Sequence, residues 1–392
     1  MSVTTLPTNI IPYGRQTITD ADIEAVVKVL KLDYLTQGPS VAEFETAFAN
    51  YVGAKYVIAL ANGTAALHLC AMALEVNTTT RVITSPITFA ASANCVRYCG
   101  GEVHFADIDP ATFLLDINKV RALLESKPKG YYSGIIPVDF AGNTVDLQVF
   151  RQLANEYGCW IIEDACHAPG GYFVDTNNKQ QHCGNGNFAD LAIFSFHPVK
   201  HIATGEGGMI TTNNKVLYDK INILRTHGIT KDASKFTNLT TDVAQGGWYY
   251  EIQTLGYNYR LTDFQAALGT SQLQRAAENL LHRKALAARY DKAFANTPIT
   301  TPLAAAGNAY HLYVIQTTNR LGLYNYLKTN NIFAQVHYVP VHLMPYYQAF
   351  GHKKGDYPNA ELYYDNCLSI PMYHSLSYEE QDYVIETILN FK

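Results

Sequence analysis

The sequence of 392 residues has little charge and no long apolar run. Charged residues make up 16% of the chain and the formal net charge is −5, so there is no broad basic surface to attract nucleic acid or an anionic membrane. No stretch approaches the roughly 18 to 20 apolar residues of a membrane-spanning helix, and the N-terminus lacks the basic and apolar regions of a signal peptide. We therefore expect a cytoplasmic protein with neither a nucleic acid nor a membrane as partner.

The seven cysteines do not form a pattern that binds metal or makes disulfides. Their number is odd, they are widely scattered and no two form a CxxC pair. No Cys/His cluster has the spacing of zinc ligands. We expect the cysteines to be small core residues in a reducing compartment, and we expect no metal site.

Helical and strand-like segments alternate from about residue 19 onward. Residues 19–32 carry apolar side chains three and four positions apart after a Thr/Asp start, which is typical of an amphipathic helix, and residues 41–53 repeat this pattern. Six short apolar runs follow, with helix-like stretches between several of them: YVIAL, RVITS, GEVHFADI, GIIPVDF, CWIIEDA and LAIFSF. This alternation predicts an α/β domain whose mainly parallel sheet is covered on both faces.

The pattern changes after Asn258. Residues 260–296 show a nearly unbroken helical pattern, long enough to pass from one domain to another. Mixed helix and strand signals follow, and the chain closes with a helical segment at 379–391. We predict a large domain at 14–264 and a smaller C-terminal α+β domain at 265–392, which also includes residues 1–13.

A lysine follows a predicted strand in the segment FSFHPVKHIATGEGG (194–208). Burial of Lys200 would be costly unless its charge were satisfied or its pKa lowered, and a neutral lysine can form a Schiff base with an aldehyde cofactor. The glycines behind it would let the backbone approach a flat ring or a phosphate. Taken alone, Lys200 is equally well explained as a surface lysine beside an irregular loop.

The strand-like segment WIIED (160–164) ends in two carboxylates. Open α/β sheets bind ligands at the carboxyl ends of their strands, and an aspartate there could keep a pyridinium nitrogen protonated. Asp164 could equally cap the turn that follows.

Two further segments come directly after predicted strands. ANGTAALH (61–68) joins a small-residue turn to a helix start, which presents backbone N–H groups to an anion but also occurs where a helix is simply capped. SPITFA (85–90) places Phe89 where it could lie against a planar cofactor, although a phenylalanine is more often a core residue.

Together and in this order, the four segments resemble the DegT/DnrJ/EryC1/StrS family of sugar aminotransferases, and GYNYRL (256–261) completes the pattern. The resemblance covers nearly the whole chain. It implies the α/β fold-type I architecture of enzymes that use pyridoxal 5′-phosphate (PLP), with a mainly parallel seven-stranded sheet in the large domain and a smaller α+β domain. It also implies PLP as the cofactor and activity as a nucleotide-sugar aminotransferase.

The resemblance implies a role for each matching position in the cofactor site. Lys200 would hold PLP covalently and move the proton during catalysis, while Asp164 would pair with the pyridine nitrogen. Phe89 would stack on one face of the ring, and His167 would lie near the other face or the phenolic edge. The phosphate would be bound by three residues at strand ends: Gly63, Thr64 and Ser195.

The GYNYRL segment implies a second subunit. By resemblance, Asn258 would reach the phosphate in the other subunit, so the active unit would be a homodimer with shared sites. Arg260 would either stabilise this crossing loop or be a surface ion-pair partner.

Several other segments most resemble the branch of the family that acts in the pseudaminic-acid pathway. They are LTQG (35–38), PVDFAG (137–142), RTHGIT (225–230), WYYEI (248–252) and VHYVP (336–340). That branch aminates a UDP-linked 4-keto-6-deoxy-N-acetyl hexose, with L-glutamate as the amino donor expected here. The positions that match sugar-nucleotide contacts are Tyr13, Asp33, Tyr34, Leu35, Thr36, His337, Tyr338, Val339 and Pro340, with Gly63, Ser195 and Asn258 shared with the cofactor site.

Three positions depart from the usual residues of the family and leave the substrate open. Asp139 stands where many members have histidine, Cys166 where alanine is common, and His201 differs from the residue that often follows the lysine.

The alternative substrate is another nucleotide-linked keto sugar (dTDP or GDP, aminated at C3 or C4). A sugar dehydratase on this fold would have histidine in place of Lys200, and a non-catalytic regulator would have no need to retain lysine, aspartate and phosphate ligands together.

Overall fold

The computed structural model describes residues 10–238 and 246–392. Its central element is a seven-stranded sheet. The strands are β1 (Ile11–Pro12), β2 (Tyr56–Leu60), β3 (Arg81–Thr84), β4 (Glu102–Phe105), β5 (Gly134–Ile136), β6 (Trp160–Asp164), β7 (Tyr172–Val174), β8 (Gln180–His182), β9 (Leu191–Ser195), β10 (Gly208–Thr212), β11 (Ile229–Thr230), β12 (Glu251–Ile252), β13 (Tyr313–Gln316), β14 (Ile332–Phe333) and β15 (Cys367–Ile370). The order across the central sheet is β2-β10-β9-β6-β5-β3-β4. Adjacent strands in this sheet are parallel, except that β10 is antiparallel to both of its neighbours, β2 and β9. The predicted mainly parallel seven-stranded sheet is confirmed.

Helices connect and cover these strands. They are α1 (Asp20–Leu30), α2 (Pro39–Val52), α3 (Gly63–Ala73), α4 (Ala91–Tyr98), α5 (Ile117–Glu125), α6 (Leu147–Tyr157), α7 (Lys215–Arg225), α8 (Asp263–Gln274), α9 (Ala276–Phe294), α10 (Arg320–Thr329), α11 (Pro345–Gln348), α12 (Pro358–Asn366) and α13 (Tyr378–Asn390). Local signals set their ends: α2 begins with Pro39 and ends before Gly53, whose φ of 81° only glycine adopts easily. Among the described residues, no helix is both long and apolar enough to cross a membrane.

The long helical pattern at 260–296 folds as two helices rather than one. Arg275, between α8 and α9, leaves the helical conformation with φ −102° and ψ 1°. Its guanidinium donates hydrogen bonds to the hydroxyl of Thr19 and the carboxylate of Asp22 at the start of α1. Apolar spacing could not reveal this break, because its cause is a contact with a distant part of the chain.

The C-terminal part of the chain has its own apolar core. Tyr290 of α9, Tyr313 of β13 and Ile370 of β15 are buried together with side chains of α10 and α13. The strand β1 pairs in parallel with β14, with Ile11 opposite Ile332, and so joins this core. The predicted boundary at 264/265 stays a prediction, and residues 1–9 of its N-terminal segment lie outside the described residues.

A buried polar network attaches α1 to α8. Asp22 accepts hydrogen bonds from Oγ of Ser271 (2.6 Å), Nε2 of Gln272 (2.9 Å) and Nη2 of Arg275 (2.8 Å). Burial by itself would raise the pKa of Asp22, but the hydrogen bonds from Arg275, Ser271 and Thr19 and the charge of Arg275 lower this pKa to about 2. Because the folded pKa lies below the unfolded one, the ionised carboxylate stabilises the fold above about pH 4.

We expect Asp22→Ala to lower the free energy of unfolding by about 3 kcal/mol at pH 7, because Arg275 and Ser271 lose their buried acceptor. The loss should shrink as the pH falls from 4 towards 2, where wild-type Asp22 takes up a proton. Denaturant unfolding at several pH values measures both effects. Asp219→Ala removes only an exposed pair with Lys215 (2.6 Å) and should change stability little. Equal losses of unfolding free energy in the two variants would show that the buried network stabilises the fold no more than an exposed ion pair does.

Candidate active site

Lys200 and Asp164 come together at the carboxyl ends of β6 and β9. These strands pair in parallel with Asp164 opposite Ile193, and the loop after Ser195 carries Lys200. Burial lowers the pKa of Lys200, and the nearby Cys166 and Asp164 oppose this shift. A lysine with a lowered pKa has a larger neutral fraction and is therefore a better nucleophile. The structure brings the two residues predicted to be catalytic close enough for the charge of one to act on the other.

Two hydrogen bonds fix the carboxylate of Asp164. The side chain is 5% exposed, its Oδ2 accepts from Oγ of Ser92 (2.6 Å), and its Oδ1 accepts from the backbone N–H of Cys166 (3.2 Å). Ser92 is in turn 2.7 Å from the hydroxyl of Thr88. The carboxylate is thus held in one orientation at the end of a rigid strand.

Four buried histidines surround Lys200. Nε2 of His311 lies 3.5 Å from Nζ of Lys200, and the His311 ring centroid is 4.3 Å from that of His167 and 5.7 Å from that of His201. Burial, reinforced by the charge of Lys200, lowers the pKa of each of these imidazoles, and that of His337 to about 3. The imidazoles are therefore neutral at pH 7 and add no positive charge beside the lysine.

Hydrogen bonding selects one tautomer of His167. The backbone N–H of Ala141 donates to Nδ1 (3.2 Å), so this nitrogen carries no proton. In the neutral ring the proton is then on Nε2, which lies 3.3 Å from the hydroxyl of Tyr338 and donates to its oxygen. Tyr338 also lies 6.2 Å from the ring of Phe89, centroid to centroid.

The N-terminus of α3 lies against the end of β9. The side chain of Asn62 accepts from the backbone N–H of Ala65 (2.8 Å), while the N–H groups of Gly63 and Thr64 lie in the first turn, where no acceptor within the helix exists. A Cβ at position 63 would lie 3.0 Å from Cβ of Ser195 and 3.4 Å from its Oγ. A side chain at position 63 would therefore crowd Ser195, and glycine lets the helix start approach the strand end closely, with its first-turn N–H groups open to an anion.

Other predicted residues complete the pocket wall. Phe89 is 61% exposed, although most of its neighbours are buried, so its ring is free to stack on a planar group. The rings of Tyr13 and His337 are 5.1 Å apart, and Nδ1 of His337 lies 2.8 Å from Oγ of Ser369. Val339 is half-buried and Pro340 buried.

Five predicted substrate residues lie elsewhere, on an exposed surface that we call the 33–36/258 surface: Asp33, Tyr34, Leu35, Thr36 and Asn258. Thr36 forms a bridge with Thr262, and Asn258 forms one with Thr226. An open cleft of about 250 Å³ adjoins both segments, and Arg260 lines it. Within residues 10–238 and 246–392, no hydrogen bond or ring contact links these five residues to Lys200, and Arg260 makes no ion pair.

Reasoning from the sequence missed Ser92 and His311. Ser92 follows the SPITFA segment in the first turn of α4, where a small polar side chain near a strand end is a usable signal. No motif marks His311, which reaches the site only because its segment pairs with the turn at 139–142. The N–H of Ala309 donates to the carbonyl of Gly142 (2.8 Å) in that pairing.

These residues suit a planar cofactor that carries an aldehyde, a basic ring nitrogen and a phosphate. Lys200 can supply the amine, Asp164 the charge partner for the nitrogen, and Phe89 the stacking surface. The helix start at Gly63 can supply N–H donors to the phosphate. PLP has all of these features, and the residues present fit it.

Comparison with known proteins supports this fit. Residues 16–389 match the DegT/DnrJ/EryC1/StrS aminotransferase family. The chain is 38% identical to the spore coat polysaccharide biosynthesis protein SpsC of Bacillus subtilis, over 96% of each chain. It is 36% identical to the UDP-4-amino-4,6-dideoxy-N-acetyl-beta-L-altrosamine transaminase of Campylobacter jejuni, again over 96% of each chain.

Solved structures agree in fold and in cofactor. PseC of Helicobacter pylori, an aminotransferase involved in the biosynthesis of pseudoaminic acid, has a TM-score of 0.86 at 28% identity, over 98% of this chain and 99% of that chain. Similar solved structures include forms with PLP and with its aminated form, pyridoxamine phosphate. The chain belongs to the DegT/DnrJ/EryC1/StrS aminotransferase family and is a PLP-dependent sugar aminotransferase.

Proposed function

We propose that the protein converts a UDP-linked 4-keto-6-deoxy-N-acetyl hexose into its 4-amino sugar, with L-glutamate as the amino donor. One observation carries this proposal: the segment at 336–340, which resembles the pseudaminic-acid branch, packs directly on the Lys200 pocket. Tyr338 contacts His167, and His337 lies against Tyr13. The transaminase of Campylobacter jejuni, whose name specifies a UDP-linked amino sugar, gives independent support.

The proposed mechanism uses residues whose positions favour proton transfer. PLP, when bound, supplies an aldehyde that exchanges amino groups and a ring that accepts the electrons of the broken C–H bond. Lys200 is the base and acid that moves the proton at Nζ, since its lowered pKa keeps more of it neutral. His311, 3.5 Å away, orients Nζ. Asp164, held by Ser92, keeps the ring nitrogen protonated.

The remaining cofactor contacts are proposed at fixed points of the pocket. The N–H groups of Gly63 and Thr64 and the hydroxyl of Ser195 bind the phosphate, and Phe89 stacks on the ring. His167, neutral and with its proton on Nε2, holds Tyr338 at the other side of the pocket.

We also propose a homodimer in which the 33–36/258 surface of one chain completes the site of the other. Shortly before Asn258 in the chain, three large apolar side chains project into solvent: Trp248 is 79% exposed, Ile252 67% and Leu255 77%. Large apolar side chains exposed in this way are unfavourable in water and typical of an interface. A second copy would cover them and bring Asn258 to the neighbouring phosphate.

Two further features bear on this proposal. All seven cysteines are free thiols, which fits the cytoplasm as a reducing compartment. The 38% identity to SpsC favours a second candidate, the amination of another nucleotide-linked keto sugar used for a surface polysaccharide. The two candidates differ in the nucleotide and sugar bound, so substrate assays separate them.

The first test concerns the covalent link to the cofactor. Purified protein should be yellow, and borohydride should fix the cofactor on the peptide that contains Lys200, as mass spectrometry would show. Lys200→Ala should lose both the label and turnover, the latter by several orders of magnitude, because no other amine replaces Nζ. Lys215→Ala, at an exposed lysine, is the control and should behave as wild type. Label on a different lysine would refute the assignment.

The second test concerns the shared site. An inactive Lys200→Ala chain mixed with an inactive Asn258→Asp chain should regain activity, because one site of the heterodimer receives both intact residues. After complete random exchange, about a quarter of wild-type activity is expected, since half of the dimers are mixed and each has one intact site. The control mixes Lys200→Ala with Asp164→Asn, which act in the same site, and should regain none. No recovery in the first mixture, despite proven exchange, would refute the sharing.

The third test concerns the substrate. The UDP-linked 4-keto-6-deoxy-N-acetyl hexose should have a kcat/KM at least about tenfold above that of the dTDP-linked 4-keto-6-deoxy sugar, because binding energy comes largely from groups remote from the reacting carbon. Tyr13→Ala and His337→Ala should slow the sugar half-reaction but not the glutamate half-reaction. Product analysis and stopped-flow absorbance measure these effects. A preference for the dTDP-linked sugar would favour the second candidate.

A further inference from the structure

The short turn at 139–142 contacts three polar parts of the active site. The backbone N–H of Asp139 donates to the carbonyl of Asp164 (3.0 Å). The N–H of Ala141 donates to Nδ1 of His167 (3.2 Å), and the carbonyl of Gly142 accepts from the segment that carries His311. The position of this turn therefore determines how these groups face Lys200.

The backbone of the turn is not relaxed. Ala141 has φ 60°, in the left-handed region that a residue with a Cβ rarely adopts, and Gly142 has φ 99°. A Cβ at position 142 would lie 2.6 Å from the backbone nitrogen of Tyr310. Such a turn persists only where surrounding contacts hold it, and the carboxylate of Asp139 provides one by accepting from the N–H of Val145 (2.9 Å).

Asp139 lies beside a second buried acid, Glu163. Asp139 and Glu163 are 0% and 1% exposed, and an oxygen of each lies within 4.8 Å of the other and of Sγ of Cys183. Glu163 uses Oε2 to accept from the N–H of Gly184 (2.9 Å). The remaining oxygens, Oδ2 of Asp139 and Oε1 of Glu163, accept no hydrogen bond from an N–H or O–H group of the described residues. The thiol of Cys183 is the neighbouring weak donor, and its hydrogen bonding lowers the pKa of both carboxyls without cancelling the effect of burial.

Two buried acceptors that face each other repel unless a proton lies between them. Burial raises the pKa of Asp139 to about 7, with the charge of Asp164 adding to the shift. Burial and the neighbouring Asp139 raise the pKa of Glu163 well above its ordinary value. Because both pKa values are raised, the pair of carboxyls keeps at least one proton at neutral pH.

We propose that Asp139 and Glu163 share a proton between Oδ2 and Oε1, and that this pair holds the 139–142 turn and, through Ala141, sets the orientation and tautomer of His167. Asp139 is then a positioning residue for the transamination. The effect of Asp139 on transamination rests on the proposed function, in which His167 lies beside the cofactor. The shared proton does not depend on that proposal.

Amide substitutions test the shared proton directly. In Asp139→Asn, the amide oxygen can accept from Val145 while its NH₂ donates to Glu163. In Glu163→Gln, the oxygen can accept from Gly184 while the NH₂ donates to Asp139. In the double variant two NH₂ groups face each other, because either flip would turn an NH₂ towards the N–H of Val145 or Gly184.

The expected pattern is therefore strongly non-additive. Each single amide variant should keep the glutamate half-reaction within about threefold of wild type and Tm within about 2 °C. The double variant should lose at least about tenfold in rate and about 5 °C or more in Tm. Stopped-flow absorbance of the holoenzyme and thermal unfolding measure the two quantities. A double variant as fast and stable as the single variants would overturn the proposal.

A control variant tests whether the replacement of any buried carboxylate by an amide gives the same losses of rate and Tm. Asp107 is 6% exposed and accepts from the N–H groups of Asn359 (3.0 Å) and Ala360 (2.9 Å), and no hydrogen bond among the described residues joins it to the turn at 139–142. Asp107→Asn should lower Tm without changing the rate. A cation bound between Asp139 and Glu163 would instead make each single amide variant as defective as the double one, and this result would also overturn the proposal.

The background of His167→Ala tests whether the pair acts through this histidine. Adding the two amide substitutions there should still lower Tm but should slow the half-reaction no further. A further tenfold loss of rate would overturn the positioning role. If His167→Ala alone leaves the rate unchanged, the proposed place of His167 fails and the positioning role with it, while the melting temperatures still decide the shared proton.

Discussion

The neutrality of the buried polar groups around Lys200 is the constraint on which the site depends. A protonated lysine and protonated imidazoles could not share this volume, because each charge would lose its water and repel the others. Burial lowers the pKa of Lys200 and of the histidines around it together. Cys166 and Asp164, the latter fixed by Ser92 at the strand end, oppose the lowering of the Lys200 pKa.

The sequence predicted those features of the fold and the site that are encoded in a few consecutive residues. Apolar runs of strand length, the glycine at position 63 and the lysine segment are each visible in a few consecutive residues, and the sheet that they predict is confirmed. The break at Arg275 and the arrival of His311 were not predicted, because each results from contacts between segments far apart in the chain. No pattern of propensity or spacing encodes such a contact, so only the folded chain reveals it.

The division of the predicted substrate residues into two groups has a physical explanation. The segment at 336–340 is packed into the pocket, since its side chains are apolar or satisfied by neighbours such as Ser369. The segments at 33–36 and 258 remain exposed, as do apolar side chains such as Trp248. A site assembled from two chains needs this arrangement, because the half that reaches a neighbour must be exposed in its own chain. The exposure of Asn258 is therefore compatible with the proposed sharing and gives no reason to remove it from the site.

Asp139 is the position where sequence and structure together lead beyond the family pattern. Its departure from histidine weakened the substrate interpretation when the sequence was considered alone. In the folded chain this aspartate lies beside Glu163, and its Oδ1 accepts a hydrogen bond from the N–H of Val145. A histidine could donate a proton to Glu163 from one ring nitrogen, whereas an aspartate can do so only by keeping a proton at neutral pH. Burial meets that requirement by raising the pKa of Asp139 to about 7. Under the proposed sharing of a proton, the substitution changes how the turn at 139–142 is held rather than how the substrate is recognised.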